Sequence, residues 1–193
     1  MKKNTARTKK AETIGAIGEN ALIARITKWT RRRAQGLPTP AWAGLDVIRD
    51  LGDDAAVVRP TSAPDAPPLV LTTDMLVEGV HFLPDHPADE LGHKAIMANL
   101  SDLAAMGSWP TWYLVSLGAT GRTTSRWVGD LYRGMGMAAG PYGCACLGGD
   151  CVRSEVRTIS IAAGGWLAPD TQPLRRDAAQ PGMALYVTGT LGD

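Results

Sequence analysis

The sequence has 193 residues, 45% hydrophobic and 20% charged, which is enough for one ordinary domain with a sizeable core. No apolar run approaches the roughly 18 residues of a membrane-spanning helix, and the first ten residues lack the apolar stretch of a secretory signal. Three cysteines do not make a disulfide framework. These features predict a soluble, cytoplasmic protein without a membrane partner.

The net charge of +1 conceals an asymmetry between the start of the chain and the rest. Residues 1–33 carry a charge of +8, and the remaining residues carry −7. We interpret residues 1–12 as a disordered basic tail, although such a tail can also bind RNA. The acidic excess elsewhere is more informative, because many of its carboxylates fall inside short motifs.

The order of the predicted elements indicates the fold class. Leu22, Ile26 and Trp29 recur at helical spacing, and alternating or continuous apolar runs mark the strands. The predicted helices cover residues 13–33, 87–106 and 125–139, and the predicted strands cover residues 55–59, 69–71, 112–117, 144–147, 158–163 and 185–188. Because strands and helices mix along the chain, the fold class is α/β (α+β).

The segment 52–56 (Gly-Asp-Asp-Ala-Ala) places two carboxylates side by side on a turn that enters a strand. Two like charges about 4 Å apart repel by roughly 4 kcal/mol at an effective dielectric constant of about 20. A cation between such groups removes the repulsion, so Asp54 is a candidate metal ligand. A solvated turn is the alternative.

Two further motifs supply hard oxygen ligands. Thr72, Thr73 and Asp74 follow an apolar strand, and ligand sites of α/β sheets gather at such strand ends. Asp102 lies on the apolar face of a predicted helix, where a carboxylate must be paired or coordinated. The alternatives are a cap or turn for the first motif and a salt bridge, for example with Lys94, for Asp102.

A fourth motif, Leu147-Gly148-Gly149-Asp150, follows the predicted strand 144–147. Glycines at a strand end let backbone N–H groups approach a phosphate, and Asp150 adds an oxygen ligand. Carboxylates and hydroxyls suit Mg²⁺, which keeps several waters and bridges to phosphate. Together the motifs predict a nucleotide-using phosphotransfer enzyme with several Mg²⁺ ions. The predicted ligands are Asp54, Thr72, Thr73, Asp74, Asp102 and Asp150.

These motifs, read in order, resemble the thiamine-monophosphate kinase family. The resemblance runs from residue 19 to residue 193 and rests on the segments 52–57, 72–84 (Thr-Thr-Asp through Glu-Gly-Val-His-Phe-Leu-Pro), 99–107, 148–150 and 186–193. Related ATP-dependent synthetases of the aminoimidazole-ribonucleotide and selenophosphate type share the fold and the acidic motifs. Where the family usually has Gly-Ile-Gly-Asp-Asp, this chain has Asp-Leu-Gly-Asp-Asp at residues 50–54.

The resemblance implies an N-terminal domain of the aminoimidazole-ribonucleotide-synthetase type. Such a domain has a mixed sheet with helices packed on one face, and two sheets pair into a barrel in a homodimer. Residues 13–168 would form this ATP- and Mg-binding domain. Residues 169–193 would form a linker and the first strand of a truncated C-terminal domain, so we expect the chain to be a piece of a longer protein.

The resemblance also implies roles for individual residues. The six predicted ligands match positions that hold Mg²⁺, and His81 matches a position that contacts the substrate. Gly149, Asp150, Arg176 and Tyr132 match positions that bind ATP. The implied reaction is direct in-line transfer from ATP to thiamine monophosphate, giving thiamine diphosphate with no covalent nucleophile. The alternatives are another ATP-dependent synthetase of the superfamily and a non-catalytic module that binds nucleotide or RNA.

Overall fold

The computed structural model describes residues 13–34, 43–187, 189 and 190. Contacts divide the chain into two compact units, Met1–Pro40 and Ala41–Asp193. The predicted basic tail, residues 1–12, lies outside the described residues. Within the described part of the chain, no helix combines the length and the apolar character needed to cross a bilayer.

The described part of the first unit consists of two helices, α1 (Ile14–Ile17) and α2 (Glu19–Ala34). The sequence predicts one continuous helix over residues 13–33. The break falls at Gly18, whose φ of 75° lies in the left-handed region that ends helices and favours glycine.

The second unit contains one six-stranded sheet and two long helices. The sheet order is β1-β2-β3-β6-β4-β5, and only the β4–β5 pair among these neighbours is parallel. The elements are β1 (Leu45–Arg49), β2 (Ala56–Pro60), β3 (Leu69–Val77), α3 (Ala88–Ala105), β4 (Ser108–Ala119), α4 (Ser125–Ala139), β5 (Ala145–Arg153) and β6 (Thr158–Leu167). This mixed sheet confirms the predicted fold class, and within the described residues it is an open sheet with β1 and β5 at its edges.

The helices α3 and α4 pack on one face of the sheet. Val70, Val115 and Ile161 point toward them and are buried, whereas Met75 and Leu114 on the opposite face are exposed. This alternation follows from the two-residue period of a strand.

The two helices approach each other closely because glycines lie between them. A Cβ atom at Gly92 of α3 would collide with the carbonyl oxygen of Leu131, and one at Gly134 of α4 would collide with the carbonyl oxygen of Asp89. The close contact holds α3 firmly over the centre of the sheet.

Three predictions about strands are wrong. Thr72, Thr73 and Asp74 do not follow a strand, because β3 continues through them to Val77. The glycine motif does not follow a strand, because β5 continues through Gly148, Gly149 and Asp150 to Arg153. Residues 185–187 do not form a strand, since they have no strand partner in the described part of the chain, and Leu185 is 98% exposed. Thr188, the last residue of that predicted strand, lies outside the described residues.

Candidate functional site

The structure brings Thr72 of β3 and Asp102 of α3 together where the helix packs on the sheet. Val70 and Leu76 of the same strand are buried against α3, so Thr72 and Asp74 share that face by alternation. The Thr72 hydroxyl donates a hydrogen bond of 2.8 Å to Oδ2 of Asp102. Asp102 therefore points inward from α3, as expected for a residue on the apolar helix face, and it meets β3 at Thr72.

The carboxylates of this region act on one another. Burial raises the pKa of Asp102, the hydrogen bond from Thr72 opposes that rise, and the negative charges of Asp74 and Asp54 raise the pKa further. We call Asp54, Thr72, Asp74 and Asp102 the acidic corner. Its electrostatics favour either a proton or a cation between the carboxylates.

Arg176 supplies a positive charge to the acidic corner from the segment that follows β6. Its Nε donates to Oδ1 of Asp54 at 3.1 Å, and its Nη2 donates to the same oxygen. Its backbone N–H donates to Oδ1 of Asp53 at 3.0 Å. Arg176 also lowers the pKa of Asp102 by charge attraction. No basic partner is evident from sequence for these acids, because Arg176 is 122 residues from Asp54.

The donor set of the acidic corner fits Mg²⁺. In the described part of the chain, no three His, Cys, Asp or Glu side chains converge closely enough to hold a metal ion by themselves. Mg²⁺ does not need such a cage, since it is commonly bound through one or two carboxylates together with waters and substrate phosphates. Ionised Asp102 is disfavoured where it stands, and a divalent cation would remove that penalty.

Two predicted metal ligands lie away from the acidic corner. The side chain of Thr73 belongs to the opposite face of β3, and its hydroxyl donates to the carbonyl oxygen of Ile161 at 2.9 Å. Asp150 lies on the edge strand β5, separated from β3 by β6 and β4, and pairs in register with Ser116. Its Oδ1 accepts a hydrogen bond from the backbone N–H of Cys151 at 2.9 Å.

Gly149 of β5 cannot be replaced by a larger residue without strain. Its φ is 154°, and a Cβ atom there would collide with the carbonyl oxygen of Val115 on β4. Tyr132 belongs to α4, which contacts this strand. Burial raises the pKa of its phenol, and the side chains of Cys151 and Cys146 on β5 raise it further. The structure therefore places Tyr132 beside the strand that carries Gly149.

His81 lies in the loop between β3 and α3, and backbone contacts fix its ring. The N–H of Val77 donates to Nδ1 of His81 at 3.0 Å, and the N–H of His81 donates to the carbonyl oxygen of Val77 at 2.8 Å. Because Nδ1 accepts, the proton of the neutral ring sits on Nε2. Lys94, an alternative partner for Asp102, donates instead to the carbonyl oxygen of His81 at 2.7 Å.

Sequence reasoning missed two features of this region. Asn99, one turn before Asp102, is 1% exposed and donates to the carbonyl oxygen of Ala95, while its Oδ1 has no hydrogen-bond partner among the described residues. Glu78 and Arg157 form an ion pair with a distance of 2.8 Å between Oε2 and Nε. No sequence signal links residues 79 positions apart.

Comparisons with known proteins agree with this architecture. The family model for AIR synthase related protein, N-terminal domain, matches residues 52–167. A thiamine-monophosphate kinase from Synechococcus elongatus is 39% identical over 142 residues, covering 73% of this chain and 42% of the relative. The thiamine-monophosphate kinase from Salmonella typhimurium is 35% identical over 178 residues, covering 92% of this chain and 50% of the relative.

Solved structures give the same result. The structure of AaThiL complexed with AMPPCP and TMP superposes with a TM-score of 0.71 at 31% identity, covering 88% of this chain and 48% of that one. The chain thus spans about half the length of the curated relatives it matches.

Proposed function

The chain belongs to the family of AIR synthase related proteins, as their N-terminal domain, and on that basis we propose that it is the ATP- and Mg-binding part of a thiamine-monophosphate kinase. The enzyme transfers the γ-phosphoryl group of ATP to thiamine monophosphate, giving ADP and thiamine diphosphate. Transfer is direct and in line, so catalysis rests on positioning and charge neutralisation.

The acidic corner carries this proposal. Asp54, Asp74 and Asp102, with the Thr72 hydroxyl, would hold Mg²⁺ together with phosphate oxygens. When bound, Mg²⁺ neutralises phosphate charge and fixes the γ-phosphate for attack. Arg176 is already paired with Asp54, so it lies within reach of a phosphate held at the corner.

The β5 edge forms the other side of the nucleotide site. The backbone of Gly149 would approach the phosphates, Tyr132 would stack on the adenine, and Asp150 would supply a further oxygen ligand for Mg²⁺. The hydroxyl of Thr73 donates to Ile161 from the opposite face of β3, so it would join the ligand set only by leaving that hydrogen bond. His81 contacts the phosphate of thiamine monophosphate through Nε2–H.

Two copies of the domain pair through their sheets. The sheet face opposite the helices carries exposed apolar side chains, among them Met75, Leu114 and Trp166. Pairing of two such faces removes this surface from water, which is the usual driving force for a homodimer. Analytical ultracentrifugation of the protein measures its mass in solution, and a strictly monomeric species would contradict the pairing.

The test of the proposed function is a comparison of phosphate acceptors in the protein at its full encoded length. ATP, Mg²⁺ and thiamine monophosphate should give thiamine diphosphate and ADP in equal amounts. ADP release with a different acceptor, and none with thiamine monophosphate, would assign the protein to another ATP-dependent branch of the superfamily. The His81→Ala variant should raise KM for thiamine monophosphate more than KM for ATP.

A further inference from the structure

Arg157 holds both ends of the loop that carries His81. At the first end, the backbone N–H and Nε of Arg157 both donate to Oε2 of Glu78, at 3.1 and 2.8 Å. At the other end, Nη2 of Arg157 donates to the carbonyl oxygen of Pro84 at 2.6 Å. His81 lies midway, three residues from each end.

Packing fixes the guanidinium itself. Its central carbon lies 4.7 Å from the ring centroid of Trp127 on α4 and 5.9 Å from that of Phe82. Phe82 is only 6% exposed and belongs to the core, so the loop is anchored immediately after His81. The side chains of Arg157 and Glu78 are 12% and 18% exposed, which makes this a shielded pair rather than a surface contact.

The backbone adds a second connection between the same segments. The N–H of Glu78 donates to the carbonyl oxygen of Arg157 at 2.9 Å, which joins the end of β3 to the residue before β6. The hydrogen bonds from Arg157 lower the pKa of Glu78, so the carboxylate stays ionised and the pair stays charged. Arg157 therefore connects β3, the loop and α4 at one point.

We infer that Arg157 is a positioning residue for the phosphate acceptor, acting by fixing the loop of residues 78–84 so that the Val77 N–H holds the His81 ring in one tautomer. This inference rests on the proposed function, in which His81 contacts thiamine monophosphate. It goes beyond that function by assigning acceptor geometry to Arg157, which does not itself touch the substrate. Its partner in this role is Glu78.

The kinetic test uses Arg157→Met in the protein at its full encoded length. We expect KM for thiamine monophosphate to rise about 10-fold while KM for ATP stays within about twofold, because only the acceptor loop is displaced. Arg157→Lys keeps the charge but not the forked donors, so it should recover part of the loss. Arg126→Met is the matched control, because it removes an exposed arginine that pairs with Asp130 on α4, and it should change neither constant.

A spectroscopic test is independent of activity. The sequence has three histidines, so substitutions of His86 and His93 assign the ¹⁵N imidazole signals of His81. The wild-type protein should show unprotonated Nδ1 and protonated Nε2 in the neutral ring. Arg157→Met should convert this to a mixture of tautomers. If Arg157→Met does not fold, Glu78→Gln takes its place. Because Glu78→Gln keeps an acceptor oxygen for Arg157, it should shift the tautomer populations only in part.

The two tests separate the failure of each idea. If the wild-type protein makes no thiamine diphosphate, the proposed function fails, and the tautomer comparison still decides whether Arg157 positions His81. If Arg157→Met and Glu78→Gln fold and leave the tautomer unchanged, or if KM rises equally for both substrates, the positioning role is overturned.

Discussion

The acidic corner and the β5 edge strand both carry acids that stand out in the sequence, but the fold treats them differently. In the corner, Asp54, Asp74 and Asp102 come from three separate segments. Burial raises the pKa of Asp102, and the negative charges of Asp74 and Asp54 raise it further. Asp150 lies on β5, three strands along the sheet from β3, and accepts a hydrogen bond from the backbone amide of Cys151. The charges of the acidic corner therefore favour a cation, whereas the distinguishing feature of the edge strand is its backbone, which lies so close to β4 at Gly149 that a Cβ atom would not fit.

The largest expected effect is on the edge strand. Gly149→Ala should destabilise the fold by about 3 kcal/mol, because the new Cβ meets the carbonyl oxygen of Val115 and φ is unfavourable. Gly148→Ala is the matched control: its φ is 147°, but the nearest atom is a Leu114 methyl group at 4.0 Å, so about 1 kcal/mol is expected. Urea denaturation measures both, and equal losses would contradict the role of the Val115 contact.

The next effect belongs to the acidic corner. Asp102→Asn should weaken Mg-ATP binding about 100-fold, because it removes an ionised ligand, while Asp150→Asn should weaken it about 10-fold. Isothermal titration calorimetry measures both affinities. Without Mg²⁺, Asp102→Asn should not destabilise the protein, since the ionised carboxylate is unfavourable there and an amide oxygen still accepts from Thr72. Unchanged Mg-ATP affinity in folded Asp102→Asn would refute a metal site at the corner.

A smaller effect is expected for Arg176, the positively charged side chain that contacts Asp54 in the acidic corner. Arg176→Gln should weaken ATP binding about 10-fold, because a charge-assisted donor to phosphate is lost. Arg175→Gln is the control, since Arg175 pairs with Asp177 rather than with the corner. Equal losses in the two variants would indicate a general charge effect instead of a contact by Arg176.

The smallest effect is on the pH dependence of Mg²⁺ binding. Because the pKa of Asp102 is raised in the folded protein, this carboxyl takes up a proton at higher pH than an ordinary aspartate. That proton competes with the metal, so affinity should begin to fall at higher pH in the wild type than in Asp102→Asn. Without metal, protonation relieves the repulsion, and this group's contribution to stability improves as pH falls through the raised pKa. Calorimetric titrations with Mg²⁺ at several pH values show whether the wild type loses affinity at a higher pH than Asp102→Asn does.

The sequence predicts the acidic corner well for a physical reason. Asp102 stands on an apolar helix face, and burial of that face leaves the carboxylate only one direction, toward the sheet. Within β3, alternation places Thr72 and Asp74 on the same face as the buried Val70 and Leu76. Both signals are local, and α3 and β3 are packed together by the apolar residues of the same segments.

The contacts that sequence reasoning misses are the long-range or exposed ones. Glu78 meets Arg157 only because β3 and β6 are neighbours in the sheet. No pattern in either segment predicts that these two strands pair. The strand β1 is not predicted from the sequence, because its residues are almost all exposed and do not alternate between buried and exposed positions. Gly148 and Gly149 suggest a strand end, since glycine is usually depleted in strands, but here it fits against β4.

The sheet order has a consequence for how the chain acquires its structure. Among the six strands of this sheet, β6 is the last to be synthesised, yet it lies between β3 and β4 and pairs with both. Until residues 158–167 have left the ribosome, β3 and β4 each expose an unpaired edge, and the contacts that join them carry a high loop-closure cost. Unpaired edges of this kind recruit other chains. A translational pause that keeps residues 158–167 inside the ribosome should therefore increase aggregation of this protein more than an equal pause after these residues have emerged.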